Sequence, residues 1–141
     1  MKISSRTIYG LRVLFQLAMH GERGELARCS VIAQKQDIAA ATLDQVMVIL
    51  KKAGLVRAQR GRKGGYTLAS PPAQITLLAV LEAFEGPVNI AAGEATQGRF
   101  ANHATTAAWQ MLGKEFCTQA SATTLADIIA NQREKMTDFV I

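Results

Sequence analysis

Apolar residues recur at helical spacing from the start of the chain, at Ile8, Leu11, Phe15 and Ala18, with Leu14, Leu17 and Met19 widening the same face. Ser4 and Ser5 stand ahead of them as N-cap candidates, so a first helix is expected to about His20, apolar enough to be buried between two partners. The polar run at 21–25 ends it. Ser30 reads as the cap of a short helix over 31–36, Asp37 and Ile38 as a tight turn, and residues 40–53 as a third helix. In that helix Leu43, Met47 and Leu50 point inward, Gly54 is a left-handed stop, and Lys51 and Lys52 suit the C-terminal dipole.

Two short strands follow, at 55–60 and 66–68, joined by Gly61, Arg62, Lys63, Gly64 and Gly65. Ser70, Pro71 and Pro72 break the pattern and divide the chain into segments 1–70 and 71–141. Thr76 caps a helix over 77–85, stopped by Gly86 and Pro87. Residues 88–102 have no period and read as a loop. The longest helix is expected over 103–120, with Trp109, Leu112 and Phe116 on one stripe and Ala108 and Met111 beside it. Gly113 weakens that helix by about 1 kcal/mol relative to Ala, so packing must compensate. Thr123 or Thr124 caps a last helix to about Gln132, followed by a fraying tail. The fold class is mostly α with one small β-hairpin.

Charge adds direction to this pattern. Residues 1–66 hold twelve Lys/Arg against four Asp/Glu, a net +8, while residues 67–141 hold four against seven, a net −3. The first part is built to meet a polyanion, and duplex nucleic acid or an anionic membrane surface would both fit. No apolar stretch is long enough for a membrane span. The first residues lack the apolar core of a signal peptide, so a cytoplasmic protein is expected. No nucleophile–base pair, metal-ligand spacing or phosphate loop argues for an enzyme.

The short helix, turn and third helix at 30–53 have the dimensions of a helix-turn-helix. Thr42 and Gln45 lie on the outer face near the helix start, where this motif reads base edges. Gln can pair with adenine, and the methyls of Thr and Ala can rest on a thymine methyl. Ala39, Ala40 and Ala41 offer no donors, so groove shape is expected to share the work. The glycine-rich hairpin tip with Arg60, Arg62 and Lys63 completes a winged helix, its glycines letting backbone approach phosphate and its guanidinium groups reaching a minor groove. A winged helix that binds RNA or a protein partner is the alternative.

The chain resembles the IscR/NsrR/CymR group of winged-helix regulators, through ISSRTIYGLRVLFQLA, IAQKQDIAAATLDQVMVILKKAGLV, RGRKGGYTLA, ITLLAVLEAFEG and TTLADII, in family order. The resemblance implies a homodimer whose long helix crosses its partner's, binding a palindromic operator in double-stranded DNA, and more often repressing than activating. It also implies that Thr42 and Gln45 read bases, with Ala39 and Ala41 beside them. Arg60 would enter the minor groove, and Arg6 and Tyr9 would touch the sugar-phosphate backbone.

Many members of that group hold an iron–sulfur cluster through three cysteines ahead of the long helix. Here residues 88–102 contain none, so no cluster and no metal are expected, and a small-molecule effector would act at this loop. His103, Thr106 and Glu94 are the nearest polar substitutes, and a site rebuilt from Cys117, His103 and a partner, or from His103 and Glu94, is the rival. His20 reads as a favourable charge at a helix C-terminus. Cys29 follows Arg28 and precedes a helix, features that would lower its pKa and make it a redox thiol. The same position suits a small packing residue, which is the first reading.

Overall fold

The computed structural model describes residues 1–138, and the side chains of 1–137. Helix α1 (Ser5–Glu22) is the central element. Its Val13, Leu14, Leu17 and Ala18 are buried, and it packs against helices α2 (Cys29–Gln36), α3 (Ala40–Lys52), α4 (Leu77–Glu85) and α6 (Leu125–Asp138). The core continues through Ile32, Ile38, Leu43, Val46 and Leu50 to Val56, Ile75, Val80, Leu125 and Ile129. One core therefore draws on both sides of the proline break at Pro71 and Pro72.

Helix α1 has no acidic residue in its first turn. The carboxylate that its dipole favours comes from the last residue of α4 instead. Glu85 accepts hydrogen bonds from the Ser4 N–H, at 2.8 Å, and from the Thr7 hydroxyl. The Thr7 bond first, then those from Ser4, hold the Glu85 carboxyl below the usual carboxylate range.

One residue earlier, Phe84 seals the same junction. A Cβ at Gly10 would lie 2.4 Å from Phe84 Cε2, so α1 and α4 approach closely only because position 10 is glycine. Alanine would gain about 1 kcal/mol of helix propensity, while overpacking costs about 1–3 kcal/mol. Gly10→Ala should therefore lower the thermal midpoint, and Phe84→Leu in the same chain should recover part of the loss. A higher midpoint for Gly10→Ala alone would contradict this packing.

The second helix starts earlier than its sequence signals suggest. Ser30 is exposed inside α2, and Arg28 is the N-cap, with no side-chain capping bond. The cause is Ala27, which exchanges two backbone hydrogen bonds with Tyr66, at 3.0 and 2.8 Å, and fixes where extended chain gives way to helix. Asp37 then takes the left-handed conformation, φ 51°, that a short polar side chain tolerates. Helix α3 ends on Gly54, φ 74°, as expected.

Strands β1 (Val56–Gln59) and β2 (Gly65–Leu68) pair antiparallel, Val56 opposite Leu68 and Gln59 opposite Gly65. Arg60 thus belongs to the turn and not to the strand. A Cβ at Gly64 would lie 2.4 Å from the Gln59 carbonyl oxygen, and one at Gly65 would lie 2.8 Å from that of Ala27. These two glycines are demanded inside the chain, a reason independent of any approach to phosphate.

Thr76 caps α4, its hydroxyl accepting from the Ala79 N–H, and Gly86 ends it. The loop at 88–102 carries two single 3-10 turns, Glu94–Thr96 and Gly98–Phe100. Helix α5 (Ala104–Ala122) follows, with His103 as its N-cap. Ile90 packs over Gly113, its Cβ 3.5 Å from where a Cβ would stand, which supplies the compensating contact at that glycine. Thr124 and Asp127 cap α6 reciprocally, at 2.9 and 3.2 Å. Helix α6 runs beyond Gln132 to Asp138, its Arg133 paired with Glu22 of α1 at 2.6 Å. The expected fraying lies, for residues 139–141, outside the described residues.

Candidate nucleic-acid interface

The N-terminal turn of α3 faces outward. Ala39, Ala40, Ala41 and Gln45 are exposed, whereas Thr42 is half-buried. Ala39 is the N-cap and gives no side-chain capping bond, so the first N–H groups of α3 have no partner from the cap residue. Val48, 65% exposed, extends the face one turn beyond Gln45. Its apolar side chain stands largely in solvent and was hidden in the sequence among the core positions of the same helix. Val46, Met47 and Leu50 are buried on the opposite side, next to β1.

The turn after β1 presents Arg60, Arg62 and Lys63, all exposed, and Arg57 projects from the strand itself. Gly61, φ 114°, permits the reversal, and the Gly64 N–H closes it onto the Gly61 carbonyl at 2.9 Å. On α1, Arg6 is exposed in the first turn. Tyr9 is half-buried, and the Arg12 guanidinium lies 5.7 Å from its ring centroid, within cation–π range.

His20 departs from the sequence expectation. It is 6% exposed, and its Nδ1 lies 2.9 Å from the Gln16 carbonyl oxygen of its own helix. Gln36 of α2 donates to the Gln16 side-chain oxygen at 3.0 Å, so this group joins the last turn of α1, where the sequence placed His20, to the end of α2.

Cys29 takes the packing position, the first of its two readings. It is the first residue of α2, half-buried against the core. Burial first, then the charge of Asp44, push its thiol above the ordinary value, against an opposing hydrogen bond from Tyr66. The thiolate is the nucleophile, so a raised pKa slows its chemistry. Iodoacetamide at pH 7.5 should alkylate Cys29 more slowly than it alkylates free cysteine, read by mass spectrometry. Faster alkylation would restore the redox reading.

The helix order, the hairpin braced on the segment before α2, and the exposed start of α3 are those of a winged helix-turn-helix. The profile of the Rrf2 family, described as an iron-dependent transcriptional regulator, matches residues 3–131. The chain belongs to the Rrf2 family. It is 35% identical over 138 residues to the HTH-type transcriptional regulator IscR of Cereibacter sphaeroides, covering 94% of this chain and 89% of that one. The solved structure of CymR, the global cysteine regulator of B. subtilis, matches with a TM-score of 0.79 at 32% identity, over 93% of this chain and 98% of CymR. T. potens IscR matches with a TM-score of 0.77 at 29% identity, over 96% of this chain and 90% of its own. This Rrf2 protein is accordingly a DNA-binding helix-turn-helix transcription regulator, in a family of regulators and not of enzymes. Among the described residues no helix is long and apolar enough to cross a membrane.

The family's description names iron, and the donors of this chain bear on whether it is held here. Its two cysteines are far apart in the fold: Cys29 lies beside the wing, and Cys117 lies on α5 with Sγ 3.9 Å from the Val88 carbonyl oxygen. His103 Nδ1 is engaged by Thr105, and the Thr106 hydroxyl donates to the Phe100 carbonyl at 2.8 Å. Among the described residues, no three His, Cys, Asp or Glu side chains gather as a metal site. A cluster requires soft thiolates for most of its coordination, so this donor set does not fit one.

Proposed function

We propose that this Rrf2 protein binds a palindromic operator in double-stranded DNA as a homodimer and represses transcription by occupying it. The observation that carries the reading is the outward N-terminal turn of α3, with Gln45 free to reach base edges beside a wing tip of three exposed cations. Thr42 and Gln45 read bases, with Ala39 and Ala41 against the groove wall. Arg60 enters the minor groove, Arg62 and Lys63 bind phosphate, and Arg6 and Tyr9 meet the sugar-phosphate backbone. Residues 1–70 are the reading head, and residues 71–141 supply the dimer helix and the effector region. The protein works in the cytoplasm, where the chromosome lies.

Dimerisation is supported by α5. Trp109, Met111 and Leu112 are 58%, 65% and 52% exposed, an apolar stripe that the described residues leave uncovered. Phe116, at the end of the stripe, is half-buried. Ile3 and Ile8, also exposed, line an apolar groove of about 430 Å³ between α1, α4 and α6 that extends the surface available to a partner.

The donors described above support a regulator without an iron–sulfur cluster. A small cavity of about 210 Å³ lies where the loop at 88–102 meets α5, lined by Val88, Ile90, Gln110, Lys114 and Cys117. It is the place for a small effector, since ligands need concave, partly apolar walls with a few polar groups.

Selection from a random pool, with protein purified without oxygen and colourless, tests the reading. Duplex DNA should be retained over RNA of the same sequence, and the recovered sites should be inverted repeats with centres about one helical turn apart or more. Preference for RNA, or sites without two-fold symmetry, would overturn it.

A further inference from the structure

The wing is not a free hairpin. On its outer side β2 is bonded to Ala27, and Gly65 sits so close to that segment that no side chain fits. The next residue, Arg28, turns its guanidinium back across this junction and donates to the carbonyl oxygen of Arg62, at the centre of the wing tip. The two are 34 positions apart in sequence.

Three features make this contact more than a surface accident. Arg28 is exposed, and among the described residues its guanidinium forms no salt bridge that would otherwise hold it. It stands near a tip that already carries Arg60, Arg62 and Lys63, so repulsion between like charges would move it away if the carbonyl did not hold it. The tip itself has little internal support: beyond the Gln59–Gly65 pair, the Gly64 to Gly61 bond is the backbone bond that closes it, next to a glycine at φ 114°. A guanidinium, with five donors in a rigid fork, can fix a carbonyl that a hairpin of this composition leaves loose.

We propose that Arg28 is a positioning residue: it fastens the wing tip to the start of α2 and thereby sets where Arg60 meets the minor groove. It acts through the Arg62 carbonyl and not as a phosphate ligand. The inference rests on the DNA-binding role proposed for Arg60, but the brace itself is a property of the free protein.

Two measurements on Arg28→Ala separate these. In the free protein, amide hydrogen exchange of the peptide spanning residues 60–66 should speed up about fivefold, the value of one net hydrogen bond, while peptides of α1 keep their protection. Unchanged exchange at 60–66 would overturn the brace, whatever the protein binds. On DNA, the ratio of affinities for operators with A/T-rich and G/C-rich flanks should fall to that of Arg60→Ala, and combining both substitutions should lower it no further. The slope of log affinity against log salt should stay at the wild-type value. An independent, additive loss, or a slope reduced by about one, would show Arg28 contacting phosphate directly and would overturn the proposal. If the wild-type chain binds no duplex, the proposed function fails, and the exchange measurement still decides the role of Arg28.

Discussion

Glutamate at Leu112 should turn the dimer into a monomer and reduce operator affinity by about 10²- to 10⁴-fold, the range lost when two linked binding modules are separated. Leu112 is 52% exposed between Trp109 and Phe116 on α5, so the substitution puts charge into the centre of the proposed interface. Burying an unpaired carboxylate is costly enough that association gives way before the group is desolvated. The fold of one chain does not depend on this side chain, and the far-ultraviolet circular dichroism per residue should be unchanged. Sedimentation velocity at micromolar concentration reads the outcome. A variant that still sediments as a dimer would place the interface elsewhere, with the groove flanked by Ile3 and Ile8 as the next apolar surface to substitute.

The second large effect concerns sequence preference. Gln45→Ala should lower discrimination at one base position by about 1–3 kcal/mol, the value of a good bidentate pair, and leave the other positions unaltered. Arg60→Ala should instead weaken preference at A/T-rich flanks, where groove width is the quantity being read. Lys63→Ala should weaken binding to all sequences alike and reduce the salt slope by about one. Competition binding against single-base variants of the selected site separates the three. An unchanged preference in Gln45→Ala would mean that the next turn of the same face, the one bearing Val48, lies against the bases.

Local signals were legible in the sequence because their causes are local. Thr76 with Gly86 delimited α4 and Gly54 ended α3, whereas the apolar period of α1 found its buried side only in part: Leu14, Leu17 and Ala18 are buried, Leu11 and Phe15 half-buried, and Ile8 exposed. What the sequence did not disclose depends on residues far apart in the chain. Ser30 resembles a cap, but the bridge between Ala27 and Tyr66 moves the helix start. His20 resembles an exposed terminal group, but it is buried and bonded to Gln16, which Gln36 of α2 holds in turn. Arg133 carries α6 past its apparent end by pairing with Glu22, and Glu85 supplies α1 with the carboxylate that its own first turn lacks. Gly10 has no local reason to be glycine until Phe84 is placed against it.

The candidate interface divides in the same way. The basic wing and the exposed position of Gln45 follow from period and composition, and the structure presents both outward. Thr42 is less accessible than its helical position suggested. Cys29 carries the opposite shift from the one its neighbours implied, because burial and then the charge of Asp44 outweigh the hydrogen bond from Tyr66. Arg28 counted in the sequence as one more positive charge. Only the folded hairpin brings its guanidinium to the Arg62 carbonyl.

The salt dependence of binding to the selected operator tests the central claim most directly. A dimer that places Arg6, Arg62 and Lys63 of each chain on duplex phosphates releases counterions in proportion to the contacts made. Neutralising six phosphates gives a slope of log affinity against log salt of about −5. A slope this steep, with two chains per duplex, is the predicted result. Affinity that stays constant between about 50 and 200 mM salt, the span over which phosphate-binding proteins weaken most visibly, would contradict it.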